Sequence, residues 1–74
     1  MVTVYSGPDC QQCKMTARVL TEAGVAFTSV DISTDDQARE FVQSLGHRTV
    51  PVVVTPTENF SGFRPDRLRA LAAA

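Results

Sequence analysis

The spacing of apolar and polar positions along the chain predicts alternating strands and helices. Val2-Thr3-Val4-Tyr5 is β-branched and aromatic and predicts a short strand. Ser6-Gly7-Pro8 breaks it. Cys13, Ala17, Leu20 and Gly24 then recur at helical spacing, with Met15 and Val19 alongside, so one helix face is apolar and Gly24 is its stop. Val25 to Ile32 predicts a second strand. Its alternation is not clean, which fits a strand covered on both faces. Ser33 to Gln37 starts a second helix: Thr34 and Gln37 have capping-box spacing, and Asp35 and Asp36 suit the positive end of the helix dipole. Ala38, Phe41, Val42 and Leu45 form its inner stripe and Gly46 ends it. Val50 to Thr55 is the strongest strand signal, with Pro51 near its beginning. Pro56-Thr57-Glu58-Asn59 predicts a turn and Phe60-Ser61 a short return strand. Pro65 opens a last helix with Leu68, Leu71 and Ala72 inward and the trailing alanines at its end.

The order is β-α-β-α-β-β-α, an α/β chain with a four-stranded mixed sheet flanked by three helices. The opening alternation implies two parallel strands joined by a right-handed crossover, and the later hairpin adds antiparallel strands. Cys10 falls where the first strand hands over to the first helix, at the carboxyl edge of the sheet, where sites of α/β folds gather.

Composition narrows the class. A length of 74 residues points to one domain, residues 1–74, and 43% hydrophobic residues suffice for a core. A net charge of −1 with scattered basic residues leaves no nucleic-acid footprint. No apolar stretch is long enough to cross a bilayer, and a strand beginning beside Met1 leaves no room for a leader. The expectation is a soluble, cytoplasmic monomer.

Candidate chemistry centres on Cys10-Gln11-Gln12-Cys13, which holds both cysteines. Four readings compete: a redox pair, half a metal site, a structural staple, or two small core residues. A cytosolic staple is disfavoured, and so short a loop would stabilise little. A closed zinc site needs about four ligands, whereas the only histidine, His47, follows a helix end as a solvated or dipole-paired residue. The pair's position between strand and helix favours redox chemistry. The thiolate is the attacking species, and unpaired N–H groups at a helix start stabilise it, lowering C-x-x-C pKa values to roughly 3.5–7.5 from about 8.5. Cys10 at the helix start is therefore the expected nucleophile. Cys13, on the same face within the first turn and more buried, is the expected resolving thiol. Lys14 favours the Cys10 thiolate, and Asp9 opposes it if it points the same way.

Three stretches also resemble a known family across the whole length. They are Tyr5-Ser6-Gly7-Pro8-Asp9-Cys10-Gln11-Gln12-Cys13, Arg48-Thr49-Val50-Pro51-Val52-Val53-Val54, and Phe60-Ser61-Gly62-Phe63-Arg64-Pro65-Asp66. Together they are similar to the NrdH-redoxins, small glutaredoxin-like proteins of the thioredoxin fold. The Ser-Gly-Phe-Arg-Pro stretch after Thr-Val-Pro is the most specific of them. The resemblance implies a dithiol–disulfide oxidoreductase with no bound cofactor beyond its Cys10–Cys13 disulfide. Its electrons would come from NADPH through thioredoxin reductase and pass to the large subunit of ribonucleotide reductase. It also implies that Pro51 is a cis-proline facing the cysteines, with Thr49 and Val50 completing one wall of a partner groove. From the residues alone Gly62 relieves a tight turn and Phe63 is core. The resemblance adds that Ser61, Gly62, Phe63 and Arg64 would lie beside the pair, with Phe60 or Phe63 giving a partner an apolar contact and Arg64 pairing with a partner carboxylate or with Asp66. Gln11 and Gln12, between the cysteines, would meet the partner directly.

The chain departs from that family at Gln11, where valine or methionine is usual, and at Phe60, where tryptophan is usual. Gly7 stands where glutaredoxins and many relatives carry lysine. Losing that cation removes one stabiliser of the Cys10 thiolate and one contact for a glutathione carboxylate. Two further readings remain at this point: a glutathione-dependent glutaredoxin, and a non-catalytic metal- or partner-binding module.

Overall fold

The computed structural model describes residues 1–73. Strand β1 (Val2–Ser6) leads into helix α1 (Gln11–Glu22), strand β2 (Phe27–Asp31) and helix α2 (Asp36–Ser44). Strands β3 (Val52–Val54) and β4 (Asn59–Ser61) form a hairpin, and helix α3 (Pro65–Ala73) closes the order. The sheet runs β2-β1-β3-β4, with β1 parallel to β2 and antiparallel to β3, and β3 antiparallel to β4. This is the mixed four-stranded sheet with three helices that the sequence pattern predicts. Of the trailing alanines, Ala72 and Ala73 stand in α3, and Ala74 lies outside the described residues.

The period of two in each strand sorts side chains between two helical layers. Val2, Val4, Val53 and Phe60 face one side, where Leu20 of α1 and Leu68 of α3 are sealed among them. Burying a leucine this fully is worth about 1.5–3 kcal/mol. On the other side Tyr5, paired across the sheet with buried Val52, meets Phe41 of α2 in a tilted contact, ring centroids 5.7 Å apart at 50°. The register that pairs Val4 with Val53, and Val53 with Phe60, sets one contiguous stripe across three strands.

Several local expectations are corrected. β2 is an edge strand, bonded only to β1, and none of its side chains is buried, so its mixed run does not mark a strand covered on both faces. The cap of α2 is Asp35, whose carboxylate accepts the Ala38 N–H at 3.0 Å; Thr34 instead turns its hydroxyl to the Asp31 carbonyl. In α1, Met15 is 45% exposed and Thr16 is the buried neighbour of Cys13 and Leu20. Phe41 lies at the margin of α2's inner stripe, 42% exposed although its ring rests on Tyr5. Ala72 points outward. His47 is not left to solvent or to the helix dipole: its Nε2–H donates to Asn59 Oδ1 at 2.6 Å, tying the end of α2 to β4.

Both glycine stops behave as expected. Gly24 has φ 74° and Gly46 has φ 91°. Around Gly24 the Val25 N–H reaches back to the Leu20 carbonyl and the Gly24 N–H to the Thr21 carbonyl, the paired bonds of a Schellman motif. Val25 thereby packs against the core beside Leu20.

At the end of β2 the Asp31 carboxylate accepts the Ser33 hydroxyl at 2.6 Å and the Ser33 N–H at 2.8 Å. These bonds, the hydroxyl first, hold the Asp31 carboxyl below the usual carboxylate range. A depressed folded-state pKa adds stability above the unfolded pKa and loses it as pH falls through the folded one. In Ser33→Ala the Asp31 titration, followed by carboxyl carbon chemical shift, should move up toward the ordinary value. An unmoved titration would show that the hydroxyl is not its cause.

Candidate active site

The turn between β1 and α1 places the cysteines. Pro8 has its φ fixed by the ring, and Asp9 follows in the left-handed region at φ 55°, a conformation that a short polar side chain tolerates. The chain thus reverses within Gly7–Asp9 and delivers Cys10 as the N-cap of α1, in extended conformation with φ −101° and ψ 101°. Serine, threonine or aspartate commonly fill this position because an acceptor there satisfies an orphan N–H. Here the acceptor is sulfur: Cys10 Sγ takes the Cys13 N–H at 3.1 Å.

Cys10 and Cys13 are joined as a disulfide with Cα atoms 5.2 Å apart. The two sulfurs are unequal. Cys10 is half-buried at the helix end, and Cys13 is 7% exposed beneath it in the first turn. Gln11 and Gln12 are both exposed, and Lys14 and Asp9 flank a shallow opening of about 200 Å³ that the cysteines line with Gly7. Among the described residues no three His, Cys, Asp or Glu side chains converge as a metal-binding group.

Across from Cys10 stands the segment before β3. Val50–Pro51 is a cis peptide, Pro51 is buried, and the Val50 carbonyl oxygen lies 3.9 Å from Cys10 Sγ. Thr49 is exposed and Val50 half-buried; of the wall expected from residues 49–51 it is the Val50 carbonyl that approaches the disulfide, while Thr49 borders a separate cleft. Gly7 lies close to Val50 too: a Cβ at that position would meet Val50 Cγ2 at 3.4 Å, ordinary contact.

The loop after β4 is tied to the same wall. The Gly62 N–H donates to the Pro51 carbonyl at 2.9 Å, with Gly62 at φ 83°. Ser61 and Phe63 are half-buried around it. Arg64 does not pair with Asp66: its Nε–H donates to the Ser61 carbonyl at 3.0 Å, whereas Asp66 approaches Arg69 at 4.0 Å. Phe60 does not flank the sulfur either. It is 3% exposed on the α1/α3 side, packed with Val53 and Leu68, and Arg67 lies over its ring at 4.2 Å while pairing with Glu58. The period of β4 explains this: the ring turns inward while its neighbour Asn59 stays outside.

A second cleft, about 540 Å³, opens beside Thr49 and is lined by Arg39, Gln43, His47 and Arg48. The sequence pattern singled out neither Arg39 nor Gln43, and gave His47 and Arg48 no part in a shared site. Arg39 and Gln43 are spaced four apart on α2, and His47 and Arg48 directly precede Thr49, which was the available signal. Arg39 also pairs with Asp36 at 2.9 Å.

A C-x-x-C pair capping the first helix, set against a cis-proline on this sheet order, is the architecture of the redoxins of the thioredoxin fold. Within them the Glutaredoxin family profile matches residues 2–58, and the chain belongs to that family, on its NrdH-redoxin branch. It is 43% identical over 72 residues to the glutaredoxin-like protein NrdH of Lactococcus lactis subsp. cremoris, covering 97% of this chain and 100% of that one. It is 34% identical over 73 residues to the glutaredoxin-like protein NrdH of Escherichia coli K12, covering 99% of this chain and 90% of the relative. The solved Escherichia coli NrdH-redoxin, a glutaredoxin-like protein with a thioredoxin-like activity profile, superposes with TM-score 0.90 at 34% identity, over 95% of this chain and 92% of that one. The protein is thus a glutaredoxin-like oxidoreductase whose cysteine pair stands at disulfide distance.

Proposed function

We propose that the protein reduces protein disulfides, donates electrons to the large subunit of ribonucleotide reductase, and is regenerated by thioredoxin reductase at the expense of NADPH. The observation that carries the reading is the Cys10 sulfur at the open end of α1, accepting the Cys13 N–H at 3.1 Å within a closed pair. The same N–H and the helix dipole stabilise a thiolate there once the pair is reduced.

The Cys10 thiolate attacks one sulfur of the substrate disulfide. That S–S bond breaks, a mixed disulfide forms, and the departing sulfur takes a proton. Cys13 then loses its proton and attacks the Cys10 sulfur, releasing the second substrate thiol. Two electrons and two protons pass to the substrate, and the Cys10–Cys13 bond re-forms. Thr49 and Val50 offer backbone groups to an extended substrate segment beside that sulfur. Gln11, Gln12, Phe63 and the Ser61–Arg64 loop border the approach. The similarity to NrdH proteins over nearly the full chain supports the ribonucleotide reductase link, and the thioredoxin-like activity profile of the Escherichia coli NrdH-redoxin supports regeneration by thioredoxin reductase. No helix among the described residues is long and apolar enough to cross a membrane. Electron donation to a ribonucleotide reductase would have the protein work in the cytoplasm, as one redoxin domain and a monomer.

A second reading, reduction by glutathione, is favoured by the cleft beside Thr49, where Arg39, His47 and Arg48 could meet a small anionic thiol. Against it, Gly7 supplies no lysine beside Val50. Coupled turnover separates the two. With NADPH, thioredoxin reductase and a protein disulfide, NADPH loss should exceed the reductase-only control severalfold, whereas glutathione with glutathione reductase should give little. The reverse pattern would transfer the assignment to the glutathione reading.

A further inference from the structure

Thr16 is the buried polar residue among those described, at 0% exposure, and its Oγ1 has no hydrogen-bond partner. Leaving a buried hydroxyl unpaired is costly, and a helical threonine has an easy remedy in the carbonyl four residues back. Thr21, in the same helix, takes that remedy: its hydroxyl donates to the Ala17 carbonyl at 2.8 Å. Thr16 does not, although the Gln12 carbonyl occupies the same relative place.

Its position points to another partner. Thr16 lies three residues after Cys13, on the same buried face of α1. Helical side chains three apart are neighbours, and each leans toward the helix N-terminus, so Thr16 leans toward Cys13. In this structure the Cys13 sulfur is held in the bond to Cys10. A disulfide sulfur carries little charge and is a weak acceptor. A free Cys13 sulfur can turn about χ1, and as a thiolate it accepts strongly.

We propose that Thr16 is a redox-dependent positioning residue: its hydroxyl is unpaired while the disulfide is closed and bonds to the Cys13 sulfur once the pair is reduced. Opening the Cys10–Cys13 bond by a dithiol puts two electrons and two protons on the cysteines, and the donor leaves as its own disulfide. The Thr16 O–H then holds Cys13 in place and, when Cys13 gives up its proton to attack the mixed disulfide, donates to the thiolate. An unpaired hydroxyl in one state and a paired one in the other bias the equilibrium toward the dithiol. The proposal rests on disulfide exchange by this pair, not on which protein receives the electrons. Its test therefore uses a small dithiol, so that failure of the partner assignment leaves it standing.

Wild type, Thr16→Val and Thr16→Ser would be equilibrated in buffers of reduced and oxidised dithiothreitol, and the dithiol fraction read by alkylation and mass. Valine keeps the shape and removes the hydroxyl. It should move the equilibrium about tenfold toward the disulfide, the loss of one hydrogen bond in one state only. Serine should stay within about twofold of wild type. Urea unfolding of both forms should show Thr16→Val raising the midpoint of the oxidised form but not of the reduced form. A purely structural hydroxyl would move both midpoints together and leave the equilibrium where wild type has it, which overturns the proposal. The wild-type protein gives an independent reading without any substitution. Exchange of the Thr16 hydroxyl proton, followed by NMR, should be slower in the dithiol than in the disulfide, and equal exchange in both states likewise overturns it.

Discussion

Cys10→Ser should bring disulfide exchange to the background rate, and it should do so without harming the fold. Serine is among the best N-cap residues, and its Oγ can accept the Cys13 N–H that Cys10 Sγ accepts now. The reduced forms of Cys10→Ser and wild type should therefore unfold at similar urea concentrations, so the lost activity is chemical. Cys13→Ser is the informative partner. Cys13 lies beneath Cys10, 7% exposed, where it can attack a sulfur on Cys10 but cannot readily meet a protein substrate. Cys13→Ser should accumulate a one-to-one mixed disulfide, seen as a single mass addition that dithiothreitol removes, with multiple turnover lost. The first attack should keep its rate, and alkylation of Cys10 across pH should give a midpoint below about 8.5, the value of an unperturbed thiol. Were Cys13→Ser to block the first attack while Cys10→Ser still formed the mixed disulfide, the two roles would be exchanged.

Much of this arrangement was legible in the residues. The β-α-β-α-β-β-α order follows from local signals that agree with one another: glycines at both helix stops, Pro65 at the start of α3, and Pro56 in the hairpin turn. The placing of Cys10 needs only the break at Ser6-Gly7-Pro8 and the helical spacing after it. The misreadings share a cause. β2 reads as covered because its composition is mixed, but strand order is a property of the whole sheet, and it falls at an edge. Thr34 and Asp35 are both good caps, and the backbone chose the one whose carboxylate meets Ala38. Met15 and Thr16 are adjacent in sequence but about 100° apart around the helix, and which one turns inward depends on where the sheet lies. The cleft beside Thr49 needs α2 packed next to the segment before β3, a contact between residues some ten apart that no local pattern announces.

Phe60 separates what the sequence suggests from what the fold does. As a residue beside a recognition loop it reads as a partner contact, yet its ring is 3% exposed and turned to the α1/α3 side. Phe60→Ala should therefore act on stability. Truncating a buried phenylalanine costs about 3–5 kcal/mol, a large share of the roughly 5–15 kcal/mol that holds a small domain together. The urea midpoint should fall steeply, and Phe60→Leu, which leaves less of a void, should lose less. Arg67→Ala removes only the cation over the ring and its pairing with Glu58, so it should cost about 1 kcal/mol or less. In coupled turnover, Phe60→Ala corrected for its folded fraction should retain most of the wild-type rate, because the lost atoms face away from the Cys10 sulfur. Phe63→Ala is the contrast: half-buried against the same core and in the loop that hydrogen-bonds to Pro51, it should lower the midpoint by less than Phe60→Ala does and lower turnover as well, even after correction for its folded fraction. A Phe60→Ala protein that kept its midpoint but lost turnover would show the ring working at the partner surface, and the burial argument for this face of the sheet would fail with it.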